Sequence, residues 1–383
     1  MICQHNKTPS TFSLLIKPAS ADCNLRCTYC FYLEKCVLYP NTKKHRMQDS
    51  LLEQLIQGYM ATEQHTYSFG WQGGEPVLMG VDFFRRVTEL QKSYGKPGDY
   101  VANGIQTNAT LIDDAFAEHL GEYRFLVGVS LDGPPEIHDR YRRTATGQTS
   151  HAAVLKGIDT LRRHHVEFNI LVLVSQANVK RAKKIYRYLV DEGFFYHQYI
   201  PCVEFDHQGK LLPYAINGRE WGNFLCELFD QWYPRDIRSV SVRHFDSLLN
   251  KKIDSSVNVC TLSDNCCQYF VVEYNGDIYS CDFFVQKDFK LGNIKTTTWR
   301  QTLKSPAFRK FGSYKAEWNK SCKTCEFLNL CCGDCLKHRM YANHPSKNLS
   351  RLCLGWKHFL NHSKDALDAL ARKIKVERST SSF

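Results

Sequence analysis

Cys23, Cys27 and Cys30 place three thiols within eight residues, directly after the apolar run Ser13-Leu14-Leu15-Ile16-Lys17. An iron–sulfur cubane normally takes four thiolates, so three at C-x3-C-x2-C spacing can hold three irons and leave the fourth open. An open iron binds substrate, so this spacing points to chemistry rather than electron storage. A zinc site short of one ligand, or coincidence in a cysteine-rich chain, would give the same letters.

A second pattern runs Cys260, Cys266, Cys281, Cys322-x2-Cys325-x5-Cys331-x3-Cys335 and Cys353. Eight thiols satisfy two fully ligated cubanes, and equally two four-thiolate zinc sites. The redox context of a first cluster tips the choice toward iron and sulfur. Cys267 and Cys332 adjoin ligands and could replace them. Cys3, Cys36, Cys202 and Cys226 lack partners at ligand spacing and read as ordinary thiols.

Other polar groups fall at the ends of apolar runs. Trp71-Gln72-Gly73-Gly74-Glu75-Pro76 carries paired glycines, which let a backbone approach a ligand closely, or simply make a turn. Gln106-Thr107-Asn108 and Ser130-Leu131-Asp132-Gly133-Pro134 could form a polar binding surface or two turns. Asp282 directly follows Cys281, where a carboxylate could accept a proton while electrons leave through a cluster. Tyr29 lies inside the cysteine loop, as a ligand contact or a packed ring.

These groups need a scaffold. Strand patterns at 13–17, 67–72, 100–107, 125–131, 167–174 and 195–201 alternate with helical patterns at 50–61, 81–94, 112–120, 152–164 and 179–192. The alternation predicts an α/β fold with a parallel sheet, its active groups at the C-terminal strand ends. Helical patterns follow at 220–233 and 242–251. Tyr274-Asn275-Gly276-Asp277 signals a hairpin that carries Cys281 on its outgoing strand. A closing helix is expected at 366–376 and a disordered tail at 377–383.

The three-cysteine loop, Gly-Gly-Glu-Pro at 73–76 and the eight later cysteines resemble the radical S-adenosylmethionine (SAM) enzymes that carry a SPASM domain with twin auxiliary clusters. Leu14 to Ser20, Phe31-Tyr32 and Cys281-Asp282 are similar to the anaerobic sulfatase-maturating enzymes, over about residues 12–360. The resemblance implies a partial (β/α)6 barrel (12–202), a helical connection (203–253), a small cysteine-rich SPASM iron–sulfur domain (254–358), and a C-terminal helix and tail (359–383).

It further implies three [4Fe-4S] clusters and SAM. Cys23, Cys27 and Cys30 would hold the first cluster, Cys260, Cys266, Cys281 and Cys335 the second, and Cys322, Cys325, Cys331 and Cys353 the third. Tyr29, Gln72, Gly73, Gly74, Glu75, Gln106 and Ser130 would contact SAM, Tyr32 and Gln72 would line the substrate, and Asp282 would be the base. Relatives commonly have glycine where Ala109 stands, so the turn after Asn108 is expected to be shaped differently here. The implied activity is oxidation of a cysteine or serine in a sulfatase to Cα-formylglycine, with a flavodoxin or ferredoxin as electron donor. The alternatives are a sister SPASM enzyme that crosslinks, epimerises or otherwise modifies another peptide, and a zinc scaffold or iron–sulfur carrier.

Composition narrows the classes. With 43% hydrophobic and 13% aromatic residues, the 383-residue chain can build a substantial core. The formal charge of +11 falls to about +6 once eleven thiolates hold three cubanes. Basic residues are dispersed without aromatic interleaving, which argues against nucleic acid. No run approaches a membrane span, and residues 1–20 lack the apolar core of a secretory signal. Seventeen cysteines in clustered spacings then suggest a reducing cytoplasm rather than disulfides.

Overall fold

In chain order the alternation consists of β1 (Ser13–Lys17), α1 (Asp49–Met60), β2 (Thr66–Trp71), α2 (Val81–Tyr94), β3 (Tyr100–Thr107), α3 (Asp114–Glu122), β4 (Leu126–Ser130), α4 (Pro135–Tyr141), α5 (His151–Arg163), β5 (Phe168–Val174), α6 (Ala182–Asp191) and β6 (Tyr196–Pro201). Then come α7 (Gly218–Trp232), β7 (Ser241–Val242), α8 (Arg243–Asp254), β8 (Tyr269–Glu273), β9 (Asp277–Tyr279) and β10 (Lys290–Asn293). A helix over Cys353–Thr380 closes the chain. This computed structural model describes residues 11–40 and 42–380; Cys3, the Cys36 side chain and 381–383 lie outside the described part.

The chain divides into two compact units that interleave in sequence. The first comprises 1–130, 142–168 and 266–313, and the second 131–141, 169–265 and 314–383. Neither follows the expected divisions at 202, 253 and 358. In the first unit the strand order is β10-β9-β8-β1-β2-β3-β4. β1 pairs in parallel with both β2 and β8, and β8 turns back through β9 as the expected hairpin. Residues 266–313 of the cysteine-rich half therefore belong to the first unit and add their strands to its sheet. Phe270, Val271 and Val272 are wholly buried, and a strand apolar on both faces belongs inside a sheet.

The second unit orders β5-β6-β7 in parallel. α7 starts from a capping box, in which Asn217 accepts from the Glu220 amide and Glu220 from the Asn217 amide. The closing helix packs on α7 and is longer at both ends than the 366–376 expectation. It begins at Cys353, and 377–380 are helical rather than disordered. Gly355 hid its start. Glycine weakens a helix, yet a Cβ here would stand 2.0 Å from the Gly218 carbonyl oxygen and 2.8 Å from the Gly222 nitrogen. The backbones of two helices meet at this point, so glycine is required. α4 was also unexpected, because Pro134-Pro135 reads as a turn. Pro135 occupies the first helical turn, where no amide is needed.

Candidate active site

The site lies within the first unit. β1 ends at Lys17, and the chain turns through Ser20, held at φ 51°, into the cysteine loop. The loop is tied locally: the Cys30 amide donates to the Cys27 carbonyl at 3.0 Å, and the Leu25 amide to Cys23 Sγ at 3.3 Å. Asp22 anchors its entrance by ion pairs to His45 and Arg46, both at 2.8 Å.

Gly73 and Gly74 clasp this turn. The Gly74 amide donates to the Ser20 carbonyl at 2.8 Å and the Glu75 amide to the Asp22 carbonyl at 2.7 Å. A Cβ on Gly74 would stand 2.0 Å from the Asp22 oxygen, and one on Gly73 2.5 Å from that of Ser20. What the glycines approach closely is thus the backbone that leads into Cys23.

Glu75 has no exposed surface. Its carboxylate accepts from the Val77 amide (3.1 Å), the Thr107 hydroxyl (2.8 Å) and the Asn108 amide (2.8 Å), linking the ends of β2 and β3. Burial raises its pKa, against the opposing pull of the Asn108 amide and Thr107. Asn108 Nδ2 in turn donates to Asn24 at 2.9 Å and reaches Cys23 Sγ at 3.7 Å. Ala109 adopts φ 59°, the left-handed conformation, so the turn keeps a glycine-like shape with alanine in it, contrary to expectation. Its amide bonded to Thr107 Oγ1 at 2.9 Å holds it there.

Tyr29 is buried and accepts from Arg142 at 3.0 Å. Gln106 is exposed on β3, and Ser130 is half-buried at the end of β4.

Asp282 is 4% exposed. Its Oδ2 accepts from the Tyr32 hydroxyl and from Gln72 Nε2 at 3.2 Å, and Gln72 also bonds the Tyr32 oxygen at 3.2 Å. Its Oδ1 accepts no hydrogen bond among the described residues and faces Lys17 Nζ at 3.3 Å. The two expected substrate residues and the expected base are therefore one hydrogen-bonded group. Burial, reinforced by the Asp282 charge, pushes the Tyr32 phenol well above its ordinary value, so it stays a neutral donor.

Lys17 and Glu273 escaped the sequence reading. They are paired in the β1–β8 register, and Lys17 Nζ lies 2.5 Å from Glu273 Oε1. Both are buried. Burial alone would lower the lysine value, but Asp282 and Glu273 together hold it above the ordinary one. One ammonium thus serves two buried carboxylates. A lysine closing an otherwise apolar strand was the available signal.

Of the later cysteines, Cys322, Cys325, Cys331 and Cys353 of the second unit line one small cavity of about 20 Å³ with Phe327 and Trp356. Cys266 and Cys281 belong to the first unit, and Cys260 and Cys335 to the second. Among the described residues no three His, Cys, Asp or Glu side chains converge as ligands of a single metal ion. Mononuclear zinc needs that convergence, whereas a cubane offers each thiolate a separate iron. The residues present fit clusters.

A cysteine loop clasped at the strand ends of a parallel α/β unit, followed by a cysteine-dense segment, defines a radical SAM enzyme with an auxiliary iron–sulfur module. Residues 18–189 match the Radical SAM superfamily, and 260–326 match SPASM, an iron–sulfur cluster-binding domain. The chain is 35% identical to a serine-type anaerobic sulfatase-maturating enzyme of Bacteroides thetaiotaomicron, covering 96% of this chain and 92% of that one. It is also 35% identical to a cysteine-type enzyme of Clostridium perfringens, covering 95% and 99%. A solved structure described as native anSMEcpe with bound AdoMet and Cp18Cys peptide superposes with TM-score 0.88 at 34% identity, over 95% of this chain and 99% of that one. The chain belongs to the anaerobic sulfatase-maturating enzymes. No helix among the described residues is long and apolar enough to cross a membrane.

Proposed function

We propose that the enzyme oxidises a cysteine or serine side chain of a sulfatase polypeptide to Cα-formylglycine, using SAM and three [4Fe-4S] clusters. The observation that carries this reading is the buried Asp282, with one oxygen engaged by Tyr32 and Gln72 and the other, without a hydrogen bond among the described residues, ion-paired with Lys17 at 3.3 Å. When bound, SAM and the cluster on Cys23, Cys27 and Cys30 supply the radical that takes hydrogen from the substrate Cβ, and the auxiliary clusters supply an exit for the second electron.

The chain's own residues do the rest. Asp282 Oδ1 receives the thiol or hydroxyl proton as the carbon–heteroatom double bond forms; serine then gives the aldehyde directly, whereas the thioaldehyde from cysteine takes up water and releases hydrogen sulfide. Tyr32 and Gln72 fix the carboxylate from its far side, and Lys17 balances its charge. Glu75 orders the β2 and β3 ends from within, which keeps the Gly73-Gly74 segment and Gln106 in place for SAM. The amides of Gly74 and Glu75 are engaged by the cysteine turn, which leaves carbonyl oxygens to receive the SAM ammonium. Tyr29 and Ser130 complete the proposed SAM surface. A low-potential flavodoxin or ferredoxin in a reducing cytoplasm fits cofactors of this kind.

Mass spectrometry on anaerobically reconstituted enzyme tests the reading, with SAM, a reductant, and sulfatase-motif peptides bearing serine or cysteine. Aldehyde peptide formed together with 5′-deoxyadenosine is the expected result. Deoxyadenosine with both peptides unchanged would sink the sulfatase substrate and favour another peptide.

A further inference from the structure

Lys315, in the short turn Tyr314–Ala316, has no exposed surface. Its Nζ donates to the Thr261 carbonyl at 3.0 Å and to the Asp334 carbonyl. No carboxylate lies within ion-pair distance of it among the described residues. The side chain of Asp334 is turned to other partners, accepting from His338 at 2.8 Å and Ser350 at 2.6 Å. The Asp334 charge acts on the ammonium at longer range but is shared with His338 and Ser350, so Lys315 has no counter-charge in direct contact, a situation proteins rarely tolerate for a buried ion.

The two carbonyls it bridges belong to the residue after Cys260 and the residue before Cys335. Those thiols are two ligands of one cluster in the assignment given above, and a cubane with four thiolates is an anion in both oxidation states. The missing counter-charge and the missing cation are thus in the same place. A neighbouring cation supports the pattern: Lys251 Nζ donates to the Leu262 carbonyl at 2.6 Å and the Leu330 carbonyl at 3.3 Å, 2.9 Å from Cys332 Sγ. Lys251 is half-buried and shared with solvent; Lys315 is not.

We propose that Lys315 is the internal counter-cation of the auxiliary cluster to which Cys260 and Cys335 belong, joining its two ligand loops and raising its reduction potential. A positive charge stabilises the more negative, reduced state, which makes this cluster the better acceptor for the electron leaving the substrate. The inference rests on the ligand assignment, so the test separates the two.

Potentiometric titration followed by electron paramagnetic resonance would be run on iron-loaded, full-length enzyme under anoxia. Lys315→Met should make reduction of one auxiliary cluster about tenfold less favourable, ~59 mV for one electron. Lys315→Arg, which keeps the charge, should restore it. If the methionine variant loads less iron, Lys315→Gln is titrated instead, since it keeps donors without charge. Iron lost in both neutral variants but kept in the arginine variant would still mark the charge as what holds the cluster. Unchanged potentials in any fully loaded neutral variant would overturn the proposal, as would an arginine variant as impaired as the methionine one. Cys260→Ala should abolish the same resonance signal; its persistence would refute the ligand assignment and leave the Lys315 measurement standing by itself.

Discussion

The two oxygens of Asp282 are unequal, and that inequality gives the residue its direction. Oδ2 is saturated by donors, so an arriving proton goes to Oδ1. Asp282→Asn should cut aldehyde yield by about a hundredfold or more while deoxyadenosine still forms, read by mass spectrometry of both products. Full aldehyde yield would remove Asp282 as the base. Lys17 has a different job. Replacing it with methionine leaves two buried carboxylates facing one another, which should cost about 3–5 kcal/mol in anaerobic denaturation of the loaded enzyme. Adding Glu273→Gln to that variant should recover part of the loss. Asp282 could be proposed from the sequence because it adjoins Cys281, an expected cluster ligand. Lys17 was quoted in a motif yet passed over, because its meaning depends on Glu273, its neighbour only through strand pairing.

At the scale of elements, the clasp between the segment after β2 and the cysteine turn sets the position of the first cluster's ligands. Gly74→Ala drives a Cβ into the Asp22 carbonyl, 2.0 Å away, and the turn must move. Bound iron should drop by about a third after reconstitution, since one cubane of three loses its seat. Retention of full iron would show that the turn yields without releasing Cys23. Strands 13–17 and 100–107 were readable to the residue, the first as a short apolar run closed by Lys17 and the second as a β-prone stretch ending at the polar Gln106-Thr107-Asn108 turn. The closing helix was readable only in its middle. Gly355 obeys the contact with α7, against helix propensity, and no local pattern announces such a contact.

At the scale of the molecule, the two units draw on non-contiguous stretches of chain. Parallel pairing of β8 with β1 joins distant segments, and it leaves no trace in spacing, so the interleaving of the two units could not be read beside the radical SAM then SPASM order of the sequence. The second unit also carries an acid sensitivity. His197 is buried on β6, donates Nε2–H to the Phe194 carbonyl at 2.9 Å, and sits beside the Tyr199 hydroxyl at 3.2 Å. Burial pulls its value from 6.5 down to about 4. The unfolded chain therefore binds the proton first: stability is full above about pH 6.5 and declines as pH falls toward 4. His197 should account for up to about 3 kcal/mol of that decline. Denaturation midpoints between pH 7.5 and 5 would show it, and His197→Gln should flatten the slope.

The helix that begins at Cys353 also sets an order of assembly. This thiol shares a cavity with Cys322, Cys325 and Cys331 and follows them in the sequence. Until its helix docks, the other three can offer only a three-thiol site. A cluster inserted then would expose a bare iron in the wrong half of the protein. Docking of the last described helix on α7 delivers the fourth thiol and covers that position, so helix docking and closure of this proposed centre are the same event.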